Sequence, residues 1–186
     1  MKKLYLLTYN FISLTLWLNI YFNMFFADNF YVEVVSIIKL VQTLACLEII
    51  HSFLGLSSSV KVPSILQITA RLIFVWIILE FFPETRTGWP FYAMVGSWSL
   101  IEVVRYSYYF LKVKDEKKVP YFVTWLRYNL FFILYPLGFA GEVGCLLKAN
   151  LIKGPWLLIL IPYFLALIFM MKHMLYLRNK KLGIDF

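Results

Sequence analysis

Long apolar stretches are the feature that most limits the folds open to this sequence. Stretches of predominantly apolar residues follow one another along all 186 residues. About 20 such residues cross the hydrocarbon core of a bilayer as one α-helix. Hydrophobic residues make up 62% of the chain and charged residues 15%, whereas soluble domains are about half apolar and about a quarter charged. The sequence therefore predicts an all-α, polytopic membrane protein.

Six such stretches predict a six-transmembrane-helix bundle, a single membrane domain over residues 1–186. The first stretch is too long for a signal peptide and lacks a small-residue cleavage site, so we expect it to be retained. The third is expected to stop at Pro83, because proline often ends helices. The predicted spans are residues 4–27, 34–56, 65–82, 89–111, 121–147 and 155–177.

Basic residues are distributed unequally between the two sides of the predicted membrane domain. Three lie on one side (Arg86, Lys148 and Lys153) and ten on the other. Because cytoplasmic loops are enriched in Lys and Arg, the richer side is predicted to be cytoplasmic. Both termini lie on that side, as an even number of spans requires. Its ten basic residues are Lys2, Lys3, Lys61, Lys112, Lys114, Lys117, Lys118, Arg178, Lys180 and Lys181.

Net charge and cysteine content argue against other classes of protein. The net charge of +8 is scattered over helix ends and forms no basic stripe, so no nucleic-acid partner is expected. Cys46 and Cys145 lie in apolar stretches outside any CxxC or Cys/His cluster. That setting favours small buried side chains over a disulfide or a metal site. We therefore expect neither a metal ion nor another cofactor.

Ionisable residues nevertheless lie inside the predicted spans. Each costs about 2.5–3.5 kcal/mol at a helix centre, so a random lipid-facing scatter is not expected. Lys39, Glu80 and Lys172 lie near span ends, where a long side chain can extend to the interface. The three arginines of the set lie toward the cytoplasmic halves of their helices, and the same interpretation is open for them. The residues are Lys39, Glu48, His51, Arg71, Glu80, Glu102, Arg105, Arg127, Glu142 and Lys172.

Two pairs of these residues are spaced three apart, which places each pair on one helix face. An intramembrane pair such as Glu102 and Arg105 is more often architectural than catalytic, so we interpret it as structural support. His51 beside Glu48 is equally consistent with a satisfied buried pair and with a functional group.

A stripe of polar residues runs along span five, where Tyr128, Tyr135 and Glu142 are spaced by seven. This spacing is nearly two helical turns and separates neighbours by about 10 Å. Gly138 and Gly141 in the same segment permit close approach of a backbone or a ligand. Glu142 has no basic residue within a turn of its own helix. A carboxyl group in such apolar surroundings is a candidate for proton transfer.

Motifs in spans two to five follow one another in order from about residue 40 to residue 145. They are Glu48-Ile49-Ile50-His51 with Gly55; Gln67 and Arg71; Trp98-Ser99-Leu100-Ile101-Glu102-Val103-Val104-Arg105-Tyr106 with Tyr108-Tyr109; Leu126-Arg127-Tyr128-Asn129; Leu134-Tyr135-Pro136-Leu137-Gly138; and Gly141-Glu142. Together they resemble the 3-hydroxyacyl-CoA dehydratase family, long labelled protein-tyrosine-phosphatase-like.

The resemblance implies six membrane helices with cytoplasmic termini and an enzyme of fatty-acid elongation. Such an enzyme removes water from a long-chain (3R)-3-hydroxyacyl-CoA to give the trans-2-enoyl-CoA, with Tyr135 and Glu142 as its catalytic pair. Our hypothesis is that Glu142 moves the proton and Tyr135 donates a hydrogen bond to the hydroxyl or the thioester oxygen. The reverse division of labour stays open. Residues expected to bind substrate or support the pair are Glu48, His51, Arg71, Glu102, Arg105, Tyr106, Arg127, Tyr128, Gly138 and Gly141.

The same resemblance implies partners and a location. Expected partners are the 3-hydroxyacyl-CoA substrate, membrane lipid, and the condensing enzyme and reductases of elongation. The location is the endoplasmic reticulum membrane in a eukaryote and the cytoplasmic membrane in a bacterium. Lysines of the 112–118 loop, with Arg127, are suited to the CoA phosphates; the alternative is that these lysines only set the topology.

Two other functions were considered. A non-catalytic scaffold or a small-molecule or lipid transporter remains the alternative, although no internal repeat typical of transporters is present. A cysteine phosphatase needs an arginine six residues after its nucleophile, and positions 52 and 151 hold Ser and Leu.

Overall fold

The regular structure of the chain is helical throughout the described residues. The computed structural model describes residues 1–26, 30–56, 62–151, 158 and 160–183, with residues 30–33 described by their backbone alone. Short 3₁₀ turns, Pro83–Arg86 and Glu116–Lys118, lie on either side of the fourth helix. The helices are α1 Lys2–Phe26, α2 Phe30–Phe53, α3 Val62–Phe81, α4 Gly88–Lys114, α5 Tyr121–Asn129, α6 Phe131–Lys148 and α7 Leu160–Leu182.

The helix order confirms the all-α prediction, with shifts at several ends. Helix α3 contains a π-helical segment, Phe74–Ile78, and ends at Phe81, two residues before the turn that begins at Pro83. The predicted fifth span consists of two hydrogen-bonded helices, α5 and α6. They meet at Leu130, which keeps right-handed helical dihedral angles (φ −59°, ψ −24°), so the chain continues in the same direction. The predicted end of span one at residue 27 and the start of span six at residue 155 lie outside the described residues, as do Lys61 and Lys153.

Length and hydropathy qualify four of the described helices as membrane spans. Helices α1 and α4 are long enough, at 25 and 27 residues, but more polar. The four qualifying segments are Val34–Phe53, Val62–Phe81, Phe131–Lys148 and Leu160–Leu182.

Helix α4 forms the centre of the bundle and α7 its edge. Twelve α4 residues are buried, and the helix packs most extensively against α1 and α6. Trp17 of α1, Ile38 of α2, Val75 of α3 and Phe91 of α4 share one core cluster. Only Met174 of α7 is fully buried, so this helix is the least covered of the candidate spans. The polar composition of α4 is therefore tolerated because other helices cover it.

Glycines allow α6 to lie directly against α4. A Cβ atom at Gly141 would lie 2.5 Å from the backbone nitrogen of Met94 and 2.6 Å from the carbonyl oxygen of Pro90. A Cβ at Gly144 would lie 2.7 Å from Cβ of Pro90. No larger residue fits at Gly141 unless the helices separate. The close approach predicted from the sequence is therefore present at this glycine. This contact fixes the height at which Glu142 faces α4.

Candidate active site

A polar cavity of about 420 Å³ opens at the lysine-rich end of the bundle. This end holds the N-terminus of α1 and the C-termini of α4 and α7. Four basic side chains line the cavity: Arg105, Lys112, Arg127 and Lys181. The guanidinium of Arg127 lies 6.0 Å from the ring centre of Tyr109. The excess of positive charge suits a polyanionic ligand.

A buried ion-pair network beside this cavity ties three helices together. Arg71 of α3 bonds Glu102 of α4 at 2.6 Å, and Arg105 Nε lies 3.0 Å from the same carboxylate. Arg105 also pairs with Glu48 of α2, and the Tyr106 hydroxyl donates to Glu48 at 2.6 Å. The predicted Glu102–Arg105 pair is thus present. Arg71 and Arg105 satisfy their charges inside the bundle rather than extending to an interface.

His51 lies one helical turn from Glu48 and lines the same cavity. Its Nε2 shares a hydrogen bond of 2.7 Å with the Tyr5 hydroxyl of α1. The Tyr9 ring packs edge-on against the imidazole, with ring centres 4.8 Å apart. Both contacts anchor α1 to α2 at the mouth of the cavity.

A second cavity, of about 180 Å³, adjoins the first and lies between α3, α4, α6 and α7. Its lining is mostly apolar, with Phe74, Ile101 and Leu167 among its side chains. Leu66 and Ala70 of α3 line it and are also exposed on the outer surface. The cavity therefore opens sideways, between α3 and the loosely packed α7.

Glu142 projects into this second cavity and accepts hydrogen bonds on both carboxylate oxygens. Trp98 Nε1 of α4 donates to Oε1 at 2.7 Å, and the Tyr163 hydroxyl of α7 donates to Oε2. The guanidinium of Arg71 lies 4.9 Å from the Trp98 ring centre and lines the same cavity. Within the described residues Glu142 forms no ion pair, and its hydrogen-bond donors are neutral.

Tyr135 stands where the two cavities meet. Its side chain lines both of them, together with Gln67 and Met170, and its ring packs edge-on against Phe131 at 5.9 Å. Tyr135 and Glu142 lie on one helix face about 10 Å apart along the axis. Both side chains line the apolar cavity, so a molecule that extends into it from the polar cavity can contact both residues.

The remaining predicted residues fall into four places. Arg71 and Gly138 line the second cavity, and Tyr128 lines the first. Glu102 and Tyr106 lie in the ion-pair network beside them. Gly141 lines neither cavity and forms the helix contact described above.

Sequence reasoning missed both donors to Glu142. Trp98 was noted only as part of a motif, and Tyr163 was not singled out at all. The one available signal was a hydroxyl-bearing residue in an otherwise apolar stretch of α7, between Pro162 and Phe164. Within the described residues, no group of three or more His, Cys, Asp or Glu side chains is placed to hold a metal ion.

Comparison with known proteins gives a consistent match. The family model described as "Protein tyrosine phosphatase-like protein, PTPLA" matches residues 42–184. A Schizosaccharomyces pombe protein named "Probable very-long-chain (3R)-3-hydroxyacyl-CoA dehydratase" is 35% identical, over 97% of this chain and 93% of its own length.

Other relatives carry the same name over shorter matches. The Arabidopsis thaliana protein "Very-long-chain (3R)-3-hydroxyacyl-CoA dehydratase PASTICCINO 2" is 34% identical over 80% of this chain and 69% of its own. The Caenorhabditis elegans protein "Very-long-chain (3R)-3-hydroxyacyl-CoA dehydratase hpo-8" is 41% identical over 57% of this chain, and the match spans 48% of that relative. No solved structure matches the chain.

Proposed function

Because the chain belongs to the protein tyrosine phosphatase-like (PTPLA) family, we propose that it acts as its named relatives do. It is a (3R)-3-hydroxyacyl-CoA dehydratase of fatty-acid elongation, and it converts the 3-hydroxyacyl thioester to the trans-2-enoyl thioester. The observation that carries the proposal is the carboxylate of Glu142 in a mostly apolar cavity, which adjoins a basic one at Tyr135.

The protein crosses the membrane six times, as one domain with both termini in the cytoplasm. Four helices qualify as spans on their own. Helices α1 and α4 complete the set of spans, since other helices cover the polar side chains of α4. Helices α5 and α6 count as one span. The excess of basic residues at the α1 N-terminus and the α7 C-terminus supports the orientation.

The substrate lies with its CoA in the polar cavity and its acyl chain in the apolar one. Lys112, Arg127 and Lys181 bind the phosphates. Tyr135 lies about 20 Å along the helix from residue 121, at a rise of 1.5 Å per residue, and the polar cavity gives the pantetheine arm a path to it. The apolar cavity is smaller than the roughly 300–1,000 Å³ of sites for drug-sized ligands. A long acyl chain therefore continues past Leu66 and Ala70 into the bilayer.

This placement assigns a role to each catalytic side chain. Because the thioester precedes C2 and C3 along the substrate, its carbonyl lies beside Tyr135 and the reacting carbons lie toward Glu142. The Glu142 carboxylate takes the proton from C2, and the electrons of that bond move toward the carbonyl oxygen. They return to form the C2–C3 double bond as the C3–O bond breaks. Glu142 delivers its proton to the departing hydroxyl, so water is the second product.

Tyr135 donates a hydrogen bond to the thioester oxygen, where negative charge accumulates during the reaction. Trp98 and Tyr163 hold the Glu142 carboxylate in position. The product returns to the elongation partners, a condensing enzyme and two reductases, in the endoplasmic reticulum membrane of a eukaryotic cell.

The test is turnover by the purified protein. Incubation with (3R)-3-hydroxyacyl-CoAs of graded length should yield enoyl-CoA by mass spectrometry, and Tyr135→Phe and Glu142→Gln should abolish it. Tyr176→Phe and Glu84→Gln make the same chemical changes at exposed positions and should retain activity. Near-wild-type dehydration by Tyr135→Phe or Glu142→Gln would refute the assignment, whereas no turnover by the wild-type protein would favour the scaffold or transporter alternative.

A further inference from the structure

Ser97 of α4 carries a buried hydroxyl without a hydrogen-bond partner. The residue is 1% exposed, and its Oγ has no partner within the described part of the chain. Serines inside helices commonly bond the carbonyl four residues earlier, and Ser99 does so, donating to the Val95 carbonyl at 2.7 Å. A buried hydroxyl left unpaired destabilises a protein by about 1–3 kcal/mol, so its presence points to a use.

The position of Ser97 places that hydroxyl between the two proposed catalytic residues. Ser97 lines the same cavity as Tyr135 and Glu142. A Cβ at Gly138 would lie 3.3 Å from Ser97 Cβ and 3.9 Å from its Oγ. Gly138 follows Tyr135 by three residues and precedes Glu142 by four, so all three share one helix face. The missing side chain at Gly138 leaves space open beside Ser97.

We propose that Ser97 is a further catalytic residue, whose hydroxyl donates a hydrogen bond to the thioester carbonyl oxygen of the substrate beside that of Tyr135. The inference rests on the dehydratase function proposed above. When Glu142 removes the C2 proton, the electron pair moves onto the carbonyl oxygen, and two donors share the resulting charge. No proton leaves Ser97. The pair returns to form the double bond as the hydroxyl departs.

The alternative is that Ser97 is only a small residue that lets α4 and α6 pack. Turnover and binding together separate the two roles. Ser97→Ala removes the donor and fills no space, so it should lower kcat about 100-fold, as loss of one oxyanion donor does, with a smaller rise in KM of about 2- to 10-fold. The matched control is Ser99→Ala, which removes a hydroxyl two residues away that already has a helix partner and should keep kcat within a few-fold of wild type.

Binding is measured in the Glu142→Gln background with two ligands, a 3-hydroxyacyl-CoA thioester and the thioether that has a methylene in place of the carbonyl. Ser97→Ala should reduce the preference for the thioester by about 2- to 10-fold, the value of one neutral hydrogen bond. A packing role alone would weaken both ligands equally.

Each outcome tests either the role of Ser97 or the dehydratase function. Equal weakening of both ligands, or a Ser97→Ala enzyme with wild-type kcat, would overturn the role of Ser97 and leave the dehydratase assignment intact. A wild-type protein without turnover would overturn the dehydratase function, and the thioester preference would still report whether Ser97 contacts a carbonyl. Thermal unfolding of each variant in the same detergent excludes loss of fold as the cause.

Discussion

Replacing Gly141 with alanine tests whether the contact between α6 and α4 sets the geometry of the site. The new methyl carbon would lie 2.5 Å from the Met94 nitrogen and 2.6 Å from the Pro90 carbonyl oxygen. Both are backbone atoms of a buried helix, so neither can rotate away. The two helices must separate there, and separation moves Glu142 away from Trp98.

The change in the free energy of unfolding caused by Gly141→Ala follows from two opposing effects. Overpacking a well-packed contact destabilises by about 1–3 kcal/mol, and a backbone obstacle places Gly141→Ala toward the upper end. Alanine also favours a helix over glycine by about 1 kcal/mol, which offsets part of that cost. Gly96→Ala has the same helical gain, but its methyl would meet only the flexible end of Met24, at 3.2 Å. Because the helical gain cancels between the two variants, their difference should equal the overpacking cost, about 2–3 kcal/mol.

The assay is thermal unfolding in detergent, together with kcat for enoyl-CoA formation. Gly141→Ala should unfold at a lower temperature than Gly96→Ala and should lose activity, because the carboxylate no longer meets its tryptophan donor. If Gly141→Ala matched Gly96→Ala in both stability and turnover, the close helix contact could not be what positions Glu142.

Three further substitutions probe the site. Trp98→Phe keeps the ring but removes the donor to Glu142, so kcat should fall about 10- to 100-fold, the value of a hydrogen bond to a charged group, as measured by enoyl-CoA formation. Glu102→Gln leaves the Arg71 charge buried without its partner and should destabilise the protein by about 3–5 kcal/mol, as measured by thermal unfolding. Ala70→Trp should narrow the side opening and reduce turnover of long acyl chains more than of short ones, as measured by kcat/KM over graded substrates.

Matched controls exist for each of these changes. Trp76→Phe acts on an indole that bonds Thr43 at 3.1 Å, away from the cavity, and should leave kcat unchanged. Glu84→Gln acts on an exposed carboxylate and should leave stability unchanged. Ala140→Trp adds the same bulk on the outer face of α6 and should leave the chain-length profile unchanged. Equal effects in any variant and its control would contradict the role assigned to that residue.

Features that depend on one helix were predictable from the sequence. The spacing of Tyr128, Tyr135 and Glu142 placed them on one face, and each of the three lines one or both of the neighbouring cavities. Helical periodicity carries this information. Glycine was expected at a close approach, and Gly141 lies at one, because the residue has no side chain to keep a neighbouring helix away.

Features that depend on two helices were not predictable. Extension to an interface was one open interpretation for Arg71, but it pairs with Glu102, which lies 31 residues away in the sequence. The interaction between Tyr163 and Glu142 depends on how α7 packs against α6, which no local pattern encodes. Composition likewise did not indicate that Leu130 would separate α5 from α6.

Because α7 lies at the edge of the bundle, the surrounding lipid influences the position of a residue in the proposed site. Only 6% of its candidate span is buried, against 28–39% for the other three, yet it supplies the Tyr163 donor to Glu142. A helix with so little protein around it adjusts its tilt to the hydrophobic thickness of the bilayer. Turnover in vesicles should therefore depend on lipid chain length, and Tyr163→Phe should weaken that dependence. Bilayer thickness would then act on this enzyme much as an effector does.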